Sequence, residues 1–190
     1  MMEQKMNNTE GWVQVKLGTI CTINKHTYSQ SEHWQYVNYL DTGNLSEDLV
    51  LTYQSIVNGH DKLPSRAKRK IEYNDILYST VRPNQKHYGI MKHILPNTLV
   101  STGFVVISVN QEVADSDFIF YYLIQDSVTQ LLQAIGEQST SAYPAIKPKD
   151  IANLTLKLPP IVVQKEIAKT LRVLDDKIQN NKKINHHLAA

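Results

Sequence analysis

A proline pair, Pro159-Pro160, divides this chain into two stretches that cannot share one kind of secondary structure. Two successive prolines offer no backbone N–H to a strand ladder and cannot stand inside a helix, so whatever precedes them must end there. Before the pair, short runs rich in Val, Ile, Thr and Tyr alternate with turn residues; after it, no Pro or Gly occurs up to Ala190. The division predicts residues 1–10 as a loose lead-in, 11–160 as a strand-rich body and 161–190 as one long helix.

Within the body, Val13, Val15 and Leu17 alternate with Gln14 and Lys16, the period of a half-buried strand. Residues 36–40, 75–81, 99–109 and 154–158 read likewise, punctuated by Gly43, Gly59, Pro64, Pro83, Gly89 and Pro96-Asn97 as turns. Over residues 115–136 the period changes. Phe118, Tyr121, Tyr122, Leu123, Val128, Leu131, Leu132 and Ile135 recur at helical spacing, with Ser116 as a cap and Gly136 as the residue that ends the helix. Trp12, Phe104, Phe118, Tyr121 and Tyr122 lie in periodic apolar segments and are expected in the core. In the tail, Ile167, Leu171, Leu174, Ile178, Asn181, Asn185 and Leu188 fall at spacings of four and three, a coiled-coil seam. Such a stripe needs a cover, either a partner helix or the chain's own body. The predicted class is α+β: a strand-rich domain with a few helices, followed by a long C-terminal helix of coiled-coil type.

With 190 residues, the chain is long enough for one main domain. The single cysteine, Cys21, excludes an intramolecular disulfide and a multi-cysteine zinc site, and no secretory signal segment is recognisable, which fits a reducing cytoplasm. The apolar runs fall well short of the roughly 20 residues of a membrane-spanning helix, so no membrane partner is expected. The net charge of +2 is small, but its distribution is uneven. Residues 31–51 carry four acids and no Lys or Arg, whereas residues 60–92 carry Lys62, Arg66, Lys68, Arg69, Lys70, Arg82, Lys86 and Lys92 against Asp61, Glu72 and Asp75. That concentration of cations suits nucleic acid.

Two loops carry the chemistry. Lys62, Arg66, Lys68, Arg69 and Lys70, with Ser65 in the turn, suit phosphate contacts, which supply affinity without sequence information. The second loop runs from Thr80 through Arg82, Asn84, Gln85, Lys86, His87 and Tyr88; Arg, Asn and Gln are the side chains that pair bidentately with base edges. Pro83 stiffens it, and Tyr88 is the one aromatic read as a stacking platform. Ser139, Ser141 and Tyr143 offer further hydroxyls and a ring. The ordinary alternative for each is a solvated polar loop.

With these boundaries in place, the chain resembles the specificity subunits of type I restriction-modification systems. The resemblance rests on segments in the family's order: Trp12 to Gly18, Tyr39-Leu40-Asp41-Thr42-Gly43-Asn44, Pro64-Ser65-Arg66-Ala67-Lys68-Arg69, Asp75 to Asn84, Ser101-Thr102-Gly103-Phe104, Tyr143-Pro144-Ala145-Ile146, and Leu158-Pro159-Pro160 with Gln164 and Leu174-Asp175. In that family a full subunit has two target-recognition domains, each followed by a helix, and the paired helices space a split DNA site. One such unit is present here, as in a half-subunit or a fragment. The resemblance implies double-stranded DNA and methyltransferase (modification) subunits as partners, and the restriction subunit through them. It also implies a homodimer through the C-terminal helix, or pairing with a second recognition unit. S-adenosylmethionine and ATP would belong to the partner subunits, with no cofactor on this chain.

No catalytic motif offsets that reading. There is no Gly-rich phosphate loop, no G-x-S-x-G and no cofactor motif of a methyltransferase. The acidic Asp175-Asp176-Lys177 run falls on the tail helix, where it reads as a charged face, and none of the seven histidines has metal-ligand spacing. The expected role is noncatalytic, sequence-specific DNA recognition; the alternative is an adaptor or decoy that binds methyltransferase subunits without reading DNA.

Overall fold

The computed structural model describes residues 11–138 and 145–188, with the side chains of residues 30, 179 and 182–188 left out. The predicted alternation of Val13 and Val15 gives β1 (Val13–Lys16), but Leu17 begins a one-turn helix, α1 (Leu17–Ile20), before β2 (Cys21–Ile23). Then follow β3 (Tyr36–Leu40), a short hairpin of β4 (Leu45–Ser46) and β5 (Leu49–Val50), β6 (Gln54–Val57) and β7 (Ala67–Lys70). The later strands are β8 (Ile76–Ser79), β9 (Tyr88–Ile90), β10 (Thr98–Ser101) and β11 (Phe104–Val109). After them come α2 (Ser116–Leu123), α3 (Asp126–Glu137), α4 (Pro148–Ala152), β12 (Thr155–Leu158) and α5 (Ile161–Leu188).

The single apolar run predicted over residues 99–109 is two strands, and this division organises the body. β10 lies between β3, to which it runs parallel, and β7 in a sheet ordered β6-β3-β10-β7. β11 lies between β2 and β8 in an antiparallel sheet ordered β2-β11-β8-β9. Because side chains alternate across a strand, each central strand feeds two layers. Leu40 and Val100 from the first sheet meet Leu77, Phe104 and Val106 from the second, forming the layer between the sheets. Ile76, Tyr78, Val105 and Ile107 point the other way, onto Ile119, Phe120, Leu123, Val128 and Leu132 of α2 and α3. Val37, Tyr39 and Leu99 form the third layer under Tyr28 and Trp34, whose rings lie 4.7 Å apart.

The one helix expected over residues 115–136 is also two. Gln125 is extended (φ −58°, ψ 139°) and separates α2 from α3. No Pro or Gly marks the break because both helices bury the same apolar stripe on one sheet, so the period runs through it. Asp115 caps α2, its carboxylate accepting from Phe118 N–H at 3.0 Å, whereas Ser116 is buried and accepts from Gln111 at 2.6 Å. Gly136 lies inside α3 rather than beyond its end.

β12 pairs antiparallel with β1, Val13 opposite Leu158, so the strand before Pro159 closes the body onto its own beginning. From there α5 starts against α2. Gln164, 1% exposed, accepts from Asp115 N–H at 2.9 Å and donates to the Pro159 carbonyl at 2.8 Å. No helix among the described residues is long and apolar enough to cross a membrane.

Candidate nucleic-acid interface

The first basic loop is built on a tight turn. Ala67 N–H donates to the Pro64 carbonyl at 2.9 Å, which puts Ser65 and Arg66 at the exposed centre of the turn while Ala67 is buried. Lys62 and Lys68 are also exposed. Arg69 and Lys70 turn inward. Lys70 pairs with Glu32 and lies 5.3 Å from the Trp34 ring centroid, so much of its charge is met within the molecule. Arg69 is half-buried, burial draws its guanidinium pKa down, and its Nε has no hydrogen-bond partner.

The second loop is held open by left-handed backbone. Arg82 (φ 49°) and Lys86 (φ 57°) flank a single 3-10 turn, Pro83–Gln85, closed by Gln85 N–H to the Arg82 carbonyl at 2.9 Å and Lys86 N–H to the Pro83 carbonyl at 3.1 Å. A non-glycine residue in this region costs roughly 1–2 kcal/mol, so the surrounding contacts must hold the loop in shape. They do so: Pro83 is buried, and Asn84 N–H donates to Gln133 of α3 at 3.3 Å. His87 Nδ1 lies 2.7 Å from the Leu45 carbonyl. Asn84 and Gln85 are left exposed at the tip. Lys86 lies 3.9 Å from Glu47 and 3.8 Å from Asp126, long pairs near the surface.

Tyr88 departs from the expectation of a stacking platform. Its ring is 6% exposed, stacked on Tyr78 at 5.8 Å and edge-on to Phe120 at 6.1 Å; burial pushes its hydroxyl up to about 12. The residue has left the loop and entered β9, where its side chain faces the helices, so it belongs to the core and cannot stack on a base. Thr80 is likewise engaged, its hydroxyl donating to the Gly103 carbonyl at 2.9 Å.

The two loops meet at a turn remote from both in sequence, Thr102-Gly103 between β10 and β11. Thr102 N–H donates to the Arg66 carbonyl at 2.9 Å and Thr80 N–H to the Gly103 carbonyl at 2.8 Å. A methyl group added at Gly103 would lie 2.9 Å from Thr42 and 3.9 Å from the Arg66 guanidinium, so the turn admits only glycine without displacement. Ser139, Ser141 and Tyr143 lie outside the described residues; Ala145, just beyond them, bridges to Val81, and Ile146 N–H donates to the Thr80 carbonyl at 2.8 Å. The Thr102-Gly103 turn thus ties the backbones of both loops together. Among the described residues there is no group of three or more His, Cys, Asp or Glu that could hold a metal ion.

Residues of α5 divide between two faces. Gln164 and Ala168 are buried, Leu171 packs on the main core, and Asp175 accepts from the Tyr121 hydroxyl at 2.8 Å. Leu171 therefore serves the chain's own body, because α5 lies against α2 there and as far as Asp175. About a quarter turn round the axis, Ile167 is half-buried while Leu174 and Ile178 are each 51% exposed and Asn181 is exposed. Asn185 and Leu188 fall in the last turns of α5, outside the described side chains.

A network that sequence reasoning missed stands where α5 leaves the body. Arg172 Nη1 lies 3.0 Å from Asp48 and Nη2 2.5 Å from Asp117, and Lys92 lies 2.7 Å from the other Asp117 oxygen. Burial alone would raise the Asp117 carboxyl, but hydrogen bonds from Arg172 and Lys92 outweigh it and hold its pKa below the ordinary range. At Asp48 burial prevails and the pKa is raised, although Ile90 N–H and Arg172 both donate to it. Nothing in the local sequence signals this network, since its members come from four separate segments.

The chain is a strand-rich body followed by one long helix, and comparison with known proteins identifies its family. Residues 9–190 match the family described as the type I restriction modification DNA specificity domain, and the chain belongs to that family. It is 32% identical over 177 residues to the HindI type I restriction enzyme specificity subunit of Haemophilus influenzae, covering 93% of this chain and 38% of that protein. Among solved structures, it resembles the HsdS subunit from Thermoanaerobacter tengcongensis at a TM-score of 0.78 and 26% identity, over 97% of this chain and 47% of the other. A chain from a structure describing complex assembly and conformational transition of the type I R-M system matches at 0.75 and 27% identity, over 92% and 44%. The chain spans less than half the length of each of these relatives.

Proposed function

We propose that this chain reads one half of a bipartite DNA target for a type I restriction-modification complex. Residues 11–160 act as the recognition domain and residues 161–190 as the spacer helix. The observation that supports the reading is that the backbones of Arg66 and Thr80, one from each basic loop, both bond to the Thr102-Gly103 turn, while Lys62, Ser65, Arg66 and Lys68 of the first loop and Asn84 and Gln85 of the second are exposed. The first group suits phosphates and the second suits base edges. Arg69, Arg82, Lys86 and His87 are assigned to the same interface. The exposed seam of α5, Leu174, Ile178 and Asn181, would pair with a second unit, a copy of this chain or another recognition domain. The assembled module would dock methyltransferase subunits and, through them, the restriction subunit. Chemistry with S-adenosylmethionine and ATP would then take place on those partners.

Binding to a target duplex should fall steeply with salt, since phosphate contacts release counterions. Replacing Arg66, Arg69, Arg82 and Lys86 together by Ala should abolish it. Affinity that barely changes with salt, or survives the fourfold replacement, would refute the assignment. Methylome sequencing of cells expressing the chain with its methyltransferase subunits identifies the target: a symmetric split motif reports a homodimer, an asymmetric one a second recognition unit.

A further inference from the structure

The β4–β5 hairpin stands between the candidate reading loop and α5, and touches both. Its turn residues Glu47 (φ 45°) and Asp48 (φ 65°) are both left-handed, the backbone of a type I′ hairpin, here made without glycine. Glu47 N–H donates to the Lys86 carbonyl at 3.0 Å and Asp48 N–H to the Tyr88 carbonyl at 2.9 Å, so the turn clasps the end of the loop that carries Asn84 and Gln85. One Asp48 oxygen accepts from Ile90 N–H at 2.7 Å, and the other faces Arg172 of α5 at 3.0 Å. The opposite side of the Arg172 fork holds Asp117 of α2 at 2.5 Å, and the guanidinium lies 5.8 Å from the Tyr121 ring centroid. Contact is close enough at the turn that a methyl group at Gly89 would lie 2.9 Å from Leu45 and 3.1 Å from the Asp48 carboxylate.

Arg172 also lies close to the point of departure, one turn before Asp175, which accepts from the Tyr121 hydroxyl of α2 at 2.8 Å. Among the described residues Leu171 is the last apolar residue of α5 packed on the main core, and beyond it Leu174 and Ile178 are exposed. An exposed ion pair would constrain little, but these side chains are only 24–28% accessible and one guanidinium grips two carboxylates from two separate elements.

We propose that the Glu47-Asp48 turn is a strut between the reading loop and the spacer helix, with Arg172 as the positioning residue. By fixing where the reading loop stands relative to α5, Arg172, Asp48 and Asp117 hold to a single value the gap that the paired helices span between the two half-sites. The gap-setting role rests on the DNA-reading assignment above; the mechanical coupling does not.

The coupling is measured on the full chain carrying spin labels at Gln85→Cys and Lys177→Cys. The native Cys21, a free and only partly buried thiol, is replaced by Ala in every labelled protein so that the two introduced cysteines alone carry label. The unaltered strut should yield one narrow distance distribution, and Arg172→Met should broaden it at least twofold. Gly89→Ala should do the same by pressing on Asp48 without touching α5, and it decides the question should Arg172→Met fail to fold. Without labels, the same two variants in cells with the methyltransferase subunits should methylate the original half-site bases at several adjacent gap lengths instead of one. Distributions as narrow as the parent's in both variants would overturn the strut, and a single unchanged gap length would overturn its role in the gap. Wild-type cells lacking any methylated split site would refute the DNA-reading assignment, while the distance measurement would still decide the coupling.

Discussion

Gln85 and Tyr88 stand three residues apart and have opposite fates. Left-handed Lys86 turns the chain from a polar tip into β9, so Gln85 faces solvent and Tyr88 faces Tyr78 and Phe120. Tyr88→Ala should therefore cost about 3–5 kcal/mol of unfolding free energy in a denaturant titration, as expected for an emptied aromatic site in a core. Gln85→Ala should change stability by less than about 0.5 kcal/mol and instead relax base preference in a duplex-selection assay. At Arg66, truncation to Ala should weaken binding to all duplexes alike and lower the log–log salt slope by about 1, the mark of a phosphate contact. Composition alone placed all these residues in one polar, basic stretch. Their division depends on backbone angles and on neighbours from other strands, which are not written locally.

At the scale of elements, α5 is attached more firmly than a free coiled-coil arm would be. Gln164→Ala would leave the Asp115 N–H and the Pro159 carbonyl unpaired in a buried site, so it should lower stability by about 1–3 kcal/mol, read by thermal or chemical unfolding. The Arg172 network adds a pH signature. Because the folded Asp117 carboxyl has a lowered pKa, its contribution is present at neutral pH and should be lost as the pH falls through that lowered value. Asp117→Asn should flatten this part of the acid limb of the stability curve; an unaltered limb would show that the pairing with Arg172 and Lys92 contributes nothing. The heptad-like spacing of the tail was legible in sequence, but its sharing between two faces was not. Leu171 and Leu174 look alike in the pattern, and only the position of α2 makes the first a core residue.

For the molecule as a whole, the exposed seam of α5 governs assembly. Leu174→Asp with Ile178→Asp should abolish self-association in sedimentation velocity, since both side chains are 51% exposed on the chain alone. A monomeric wild type under the same conditions would move the pairing to a second recognition unit.

The sequence by itself determined the two-part plan, the strand-rich character of the body, the helical tail and the basic middle third. These follow from local signals: the Pro159-Pro160 break, period-two and period-four apolar spacing, and charge counted along the chain. The family resemblance was legible for the same reason, as ordered local motifs. Tertiary structure alone decided that β10 and β11 serve different sheets, that two basic loops meet at Gly103, that Tyr88 belongs to the core, and that Arg172 answers to Asp48 and Asp117. Each of these depends on contacts between residues far apart in the chain, made when buried apolar layers bring their strands and helices together, and no local spacing encodes them.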